Sequence, residues 1–340
     1  MRLILVGFGT VGRGVAESLL AVDPGLLAAG FEPRVVAVVD PVVGSARCEA
    51  GFDLVTLLGL ADAGEPLADH PGAEPLADVT EMLARAESDV LVELTPTDLR
   101  TGEPGLSHVR AALEAGLHVV TTNKGPIVLA YRELRDSARR AGVQLRFEGT
   151  VLSGTPVLNL CRAGLAGAGI RGIHGVVNGT CNFILTEMEG GTAYAEALAE
   201  AQRRGYAEAD PSGDVEGWDA AAKAVILANC VLGADLQISD VRRTGITGLT
   251  VGDIEAARAR GKTWRLVARI SQGDNGWEAA VAPEEVDRSD PVGSLSGSAN
   301  LLVFDTEALG EVTIAGPGAG RRPTGHAVVA DLLAIHRSVT

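Results

Sequence analysis

The chain has 340 residues, 46% of them hydrophobic, and a formal net charge of −15. That length and apolar content suit a folded protein of two domains and exclude a disordered one, while the acidic balance, with no basic stripe, excludes non-specific binding to nucleic acid or to an anionic membrane. No stretch approaches the roughly 18 apolar residues that a membrane-spanning helix needs.

Residues 2–7, RLILVG, are a short apolar run ending at glycine, which predicts a buried first strand. The run is too short for a secretory signal and a helix pattern follows at once, so a cytoplasmic chain beginning directly with its first strand is expected. Cys48, Cys161, Cys181 and Cys230 form no CxxC pair and suit a reducing compartment. The histidines fall in no metal-binding spacing.

The strand opens into GFGTVG, with Gly7, Gly9 and Gly12 in GxGxxG spacing and Thr10 and Val11 between them. Such glycines permit a tight turn, close approach of a pyrophosphate and close packing of helix on strand, with the phosphate at the positive end of the helix dipole. A strand before it and a helix after it are the context that makes this motif a dinucleotide site. RVVAVVD, 34–40, reads as the second strand. Asp40 at its end either accepts from a ribose 2′-hydroxyl, favouring NAD over NADP, or begins a turn with Pro41. Arg47 nearby argues the other way, for NADP.

Further strands are expected at 89–97, 117–124 and 143–149, separated by helical stretches around 76–87, 105–115 and 127–141. This alternation describes a doubly wound parallel sheet. Ligands of such sheets lie beyond the carboxyl ends of the strands, which singles out Thr95, Pro96, Asn123 and Lys124.

After about residue 150 the pattern changes to a mixed, α+β one. A β-rich run leads to Asn178-Gly179-Thr180, read as a tight turn, and then to an amphipathic helix. A second helix at 192–204 precedes the acidic loop YAEADPSGD. The helix that starts near Gly217 is apolar around most of its circumference, so it is buried. Lys223 projects from that surface with Asp219 one turn below it. A buried lysine is costly unless paired and is suited to proton transfer. Glu208 and Asp214 on the loop are placed to hold a cationic group of a small substrate. Residues 264–315 alternate strands and turns, and GPGAG with a final helix is expected to return to the cofactor domain, where Gly318 and Ala319 would touch the dinucleotide.

The order GFGTVG, VVTTNKGP, FEGTVLSGTPV, NGTCNFILTEM, YAEADPSGDVEGWDAAAKAVILAN and GPGAG resembles homoserine dehydrogenase over nearly the whole chain. The resemblance implies NAD(P)-dependent interconversion of L-homoserine and L-aspartate 4-semialdehyde, on the route to threonine, methionine and isoleucine. It implies Lys223 as proton donor and acceptor, Asp219 tuning it, and Lys124 assisting beside the nicotinamide. Glu208, Asp214, Thr180 and Gly179 would bind the substrate. It also implies a monovalent cation, Na+ or K+, at Glu148, Val151, Ser153 and Thr155, and a homodimer formed through the second domain. The expected division is 1–135 with 314–340 for the dinucleotide, and 136–313 for catalysis and dimerisation. A regulatory ACT domain and a fused aspartate kinase are expected to be absent. Other readings are an amine oxidoreductase such as aspartate dehydrogenase, an aspartate-semialdehyde dehydrogenase with a cysteine nucleophile, and a non-catalytic NAD-binding protein.

Overall fold

A computed structural model describes residues 1–84 and 87–339. The chain forms two compact units, 1–154 with 320–340 and 155–319. The expected boundaries at 135/136 and 313/314 lie too early. The helix Lys124–Ala141 runs through the first of them, and the last strand of the second unit, Gly310–Pro317, runs through the other.

The first unit is a seven-stranded sheet. Its strands are β1 (Arg2–Val6), β2 (Arg34–Val39), β3 (Ala46–Arg47), β4 (Glu74–Pro75), β5 (Val90–Glu93), β6 (His118–Thr121) and β7 (Leu145–Arg146), in the order β4-β3-β2-β1-β5-β6-β7. The five strands from β2 to β7 in that order are parallel, and the short β3 and β4 close one edge antiparallel. The last expected strand of this half, 143–149, shrinks to two residues because the chain turns at Phe147 into a 3₁₀ segment, Glu148–Thr150. The expected helix at 76–87 is present as Val79–Ala84, with 85 and 86 outside the described residues.

Alternation along β1 builds two cores. Leu3 and Leu5 face one side, with Val15 and Leu19 of the helix Thr10–Leu20 and Val328, Leu332 and Ile335 of the last helix, Arg321–Val339. Ile4 and Val6 face the other, with Val109, Leu113 and Leu134. The period of two along a strand buried on both faces accounts for this division. The first and last helices cross at two glycines: a Cβ on Gly325 would lie 2.2 Å from the carbonyl oxygen of Gly14. Gly325→Ala is therefore expected to force the helices apart at a cost of about 1–3 kcal/mol or more, read as a fall in Tm. An unchanged Tm would show that this crossing yields freely.

The second unit is a six-stranded sheet of β8 (Ile170–Val176), β9 (Arg242–Arg243), β10 (Lys262–Gly273), β11 (Gly276–Asp287), β12 (Ala299–Thr306) and β13 (Gly310–Pro317), in the order β13-β12-β8-β10-β11-β9. All pairings are antiparallel except β11 with β9. Helices Gly179–Glu189, Trp218–Val231 and Val251–Ala259 pack on the sheet. Val176, Val267, Leu301 and Val303 form a further cluster with Val292 and Leu295 of the loop before β12. Arg265, nearly fully buried, donates to the carbonyls of Gly293 and Leu295 in that loop and pairs with Glu189, which also holds Arg288 at 2.8 Å.

Candidate active site

In the first unit the glycine turn has the geometry a dinucleotide needs. Gly7 sits at φ +98°, and a Cβ there would lie 2.9 Å from the oxygen of Leu94. A Cβ on Gly12 would lie 2.4 Å from the oxygen of Gly7, so this glycine seats the helix against the strand end. Around Gly9, by contrast, a Cβ would meet nothing within 4 Å, and the helix it opens has no side-chain cap and no acidic residue in its first turn. The open space and unspent N–H groups at Thr10, Val11 and Gly12 suit a pyrophosphate, so the residues present fit NAD or NADP.

Asp40 follows the turn-building alternative. Its carboxylate, 8% exposed, accepts from the backbone N–H of Phe8 at 2.6 Å, of Val42 at 2.8 Å and of Val43 at 3.1 Å. It therefore fastens the glycine turn to the loop after β2. Arg47 is also committed, to Glu74 and Glu87.

Thr95, Pro96 and Asn123 are brought together at the carboxyl ends of β5 and β6. Asn123 caps the helix Lys124–Ala141 by accepting from Gly125 at 2.9 Å, and its amide donates to Thr95 Oγ1 at 3.2 Å and to the oxygen of Pro96 at 3.3 Å. Beneath them lies Glu93, fully buried, whose carboxylate accepts from both the N–H and the hydroxyl of Thr95. Lys124 opens the helix half-buried, with its N–H donated to Thr97 Oγ1 at 3.3 Å. Glu93 was not singled out from the sequence, although an acid ending the apolar run VLVE is a legible signal.

In the second unit Lys223 is 7% exposed on the helix Trp218–Val231. Its ammonium group donates to the carbonyl of Val177 at 2.7 Å and pairs with Asp219 Oδ2 at 2.7 Å. A lysine ammonium has three donors, so one is left for a substrate oxygen. Asn178-Gly179-Thr180 is a helix start and not a tight turn: Asn178 caps Gly179–Glu189 by accepting from Cys181 at 2.8 Å. Its amide donates to Asp214 Oδ1 at 2.7 Å and Asp219 Oδ2 at 3.0 Å. Thr180 donates its hydroxyl to the oxygen of Tyr206 at 2.8 Å. Burial raises the Asp214 carboxyl above the ordinary range, a push that the Asn178 hydrogen bond opposes and Asp219 reinforces. The Cys181 thiol is raised well above its usual value by burial, then by Asp214 and Asp219, which argues against a cysteine nucleophile there.

Thus Lys223, Asp219, Asp214, Thr180 and Gly179 gather in one place. Glu208 stays exposed on the loop, its backbone oxygen accepting from Gln202. Gly318 belongs to the second unit, where a Cβ would overlap the Asn300 side chain at 2.3 Å. Asn300 is fully buried, and both of its amide atoms lack a hydrogen-bond partner among the described residues. It also lies against Gly179. Neither Asn178 nor Asn300 was singled out from sequence.

Glu148, Val151 and Ser153 are buried in the first unit, and Thr155 begins the second. The N–H of Glu148 donates to Asp331 at 2.8 Å, and Ser153 sits at φ +52° with its hydroxyl 2.7 Å from that of Thr324. A donor set of one carboxylate and backbone oxygens suits a hard cation. Among the described residues no cluster of three His, Cys, Asp or Glu side chains could hold a metal, and no helix is long and apolar enough to cross a membrane.

A helix terminus ready for phosphate in one unit, and a buried lysine held by a carboxylate in the other, are the equipment of a pyridine-nucleotide-dependent oxidoreductase. Comparison with known proteins makes the assignment specific. Residues 7–148 match the model of the homoserine dehydrogenase NAD-binding domain, and 156–333 match that of homoserine dehydrogenase. The NAD(+)-dependent homoserine dehydrogenase of Pseudomonas canavaninivorans is 42% identical over 100% of this chain and 97% of its own. The homoserine dehydrogenase of Methanocaldococcus jannaschii is 37% identical over 99% of each. A solved hyperthermophilic archaeal homoserine dehydrogenase in complex with NADPH superposes with a TM-score of 0.84 at 30% identity, covering 99% of this chain and 98% of that one. The chain belongs to the homoserine dehydrogenase family.

Proposed function

We propose that the chain oxidises L-homoserine to L-aspartate 4-semialdehyde, and reduces it back, with Lys223 moving the proton and NAD preferred over NADP. The observation that carries the reading is the buried Lys223 ammonium, held 2.7 Å from Asp219 and 2.7 Å from the Val177 carbonyl beside a second carboxylate, Asp214. When bound, the dinucleotide supplies the hydride acceptor. In the reducing direction the Lys223 ammonium gives its third proton to the aldehyde oxygen, and in the oxidising direction the neutral Lys223 amine takes the hydroxyl proton back, Asp219 holding the ammonium that results. Asp214, with Glu208, receives the substrate ammonium group, and Thr180 and Gly179 line the same place. Thr95, Pro96, Asn123 and Lys124 of the first unit are assigned to the nicotinamide end, and Gly7, Gly9 and Gly12 to the pyrophosphate.

The preference for NAD rests on what surrounds the end of β2. Residues 41–45, PVVGS, carry no base, and Arg47 is already paired with two glutamates. Among the described residues a 2′-phosphate would meet no unspent cation there. Homoserine-dependent reduction of NAD is expected to exceed that of NADP by about tenfold in kcat/KM, the worth of roughly one lost charge pair. NADP turnover equal to or above that of NAD would overturn the preference. No homoserine turnover with either cofactor, despite tight binding of one, would move the assignment to another amino-acid oxidoreductase. A cation at Glu148, Val151, Ser153 and Thr155, a homodimer, the cytoplasm as its place and the route to threonine, methionine and isoleucine belong to the same reading and rest on the family resemblance. Four cysteines with no CxxC spacing accord with that compartment.

A further inference from the structure

The Asn178 amide has one workable orientation. Its Oδ1 accepts the N–H of Cys181, so its NH₂ must face the two carboxylates. Turned over, it would set an oxygen against Asp214 and Asp219 and an NH₂ against an N–H. Each amide hydrogen therefore goes to a different acid. The two carboxylate oxygens lie no further apart than those two bonds laid end to end, and the second of them is also the oxygen that grips Lys223. An unbroken chain of contacts runs Asp214, Asn178, Asp219, Lys223, with Asn178 buried at 3% exposure.

We propose that Asn178 is a positioning residue that sets Asp214, the seat of the substrate ammonium group, at a fixed distance from the Asp219–Lys223 pair that moves the hydroxyl proton. The inference rests on the roles given above to Asp214 and Lys223. Homoserine carries its amine and its hydroxyl on one short carbon chain, so both ends must be met at once. A single planar amide, anchored by a backbone N–H, ties the two receiving groups together without adding a charge. An ammonium group could not do this, because it would compete with the substrate for Asp214.

The same contact bears on titration. The groups facing Asp214 are Asp219 and Lys223 from the lysine helix, and the Cys181 thiol and Thr180 hydroxyl from the helix Gly179–Glu189. Burial and Asp219 push the Asp214 carboxyl up; the Asn178 bond and Lys223 pull it down. Removing the amide donor leaves the upward influences in place. The carboxylate then protonates at higher pH, and its hold on an ammonium group fails earlier as pH falls.

The test uses Asn178→Ser and Asn178→Asp, because both residues can still cap the helix. Serine keeps the cap but lacks two donors for the carboxylates, while aspartate keeps the cap and sets a third carboxylate beside them. In Asn178→Ser, KM for homoserine is expected to rise about tenfold to a hundredfold, with the acid limb of kcat/KM moved to higher pH. KM for NAD should stay within about twofold, since the variant leaves the glycine turn untouched. Asn178→Asp is expected to lose more than serine does at neutral pH. Wild-type KM and pH profile in Asn178→Ser would overturn the proposal. Equal losses in both variants that merely follow a lowered Tm would also overturn it, leaving the residue as a helix cap. Absence of homoserine turnover in the native protein would instead overturn the underlying reading, so the two failures are distinguishable.

Discussion

Lys223→Ala is expected to lower kcat for homoserine oxidation by about 10³-fold, within the 10²–10⁴ range of a positioned proton-transfer group, while Kd for NAD stays within about twofold. The ammonium group is held on two sides, by Asp219 and by the Val177 carbonyl, so its remaining donor has a direction fixed before substrate arrives. Alanine removes the donor and leaves Asp219 and Asp214 bridged by the Asn178 amide. The carboxylate of Asp214 that receives the substrate ammonium group stays in place, so KM for homoserine should change little at neutral pH while turnover collapses. That split separates loss of chemistry from loss of binding. Small primary amines added to the assay should restore part of the rate by standing in for the lost group. A kcat within a few fold of native would remove Lys223 from the chemistry.

The second large effect is on stability. Glu189→Ala is expected to cost about 3–5 kcal/mol, the penalty of stripping one partner from a buried ion pair. One oxygen of Glu189 takes Arg265 and the hydroxyl of Thr263, and the other takes Arg288. Arg265 has 3% of its side chain exposed and cannot turn to water. Its guanidinium also clamps Gly293 and Leu295, whose loop brings Val292 and Leu295 onto the sheet cluster. Loss of the glutamate should therefore loosen the loop and lower Tm by about 10 °C. The double variant Glu189→Leu with Arg265→Met, which removes both charges, should recover much of the loss. Full stability in Glu189→Ala would show that Arg265 is held by the backbone carbonyls alone.

What the sequence disclosed was mostly local. The GFGTVG turn could be read because strand, glycines and helix are contiguous, and each glycine's constraint acts over a few residues. Lys223 was legible because its neighbours at helical spacing are apolar, which announces burial before any partner is known. The strands after residue 260 kept their places because long apolar runs are set off by turn residues such as Gly273, Asp274, Asn275 and Gly276. Contacts between distant residues were not legible. Asp40 reads as a ribose ligand or the start of a turn from its place after a strand, and only folding shows that its carboxylate takes the N–H of Phe8, 32 positions earlier. Asn178-Gly179 reads as a turn because that dipeptide favours one, whereas the side chain in fact starts a helix and bridges acids 36 and 41 residues away. The domain boundaries were drawn where composition changes. The fold instead ends its first unit after the 3₁₀ turn at Glu148, whose N–H is bound by Asp331 of the last helix, a tie across 183 positions that composition cannot carry.

The fastening of Phe8 by Asp40 bears on attempts to alter the coenzyme choice of this enzyme. The residue ending the second strand is the customary place to exchange an acid for a neutral or basic side chain. Here that exchange would release three backbone N–H groups and slacken the turn that both coenzymes share. A designer would gain tolerance for the extra phosphate and lose grip on the pyrophosphate in the same stroke. The better target is the pair of contacts on Arg47, because neutralising both Glu74 and Glu87 would free that cation and leave the turn intact.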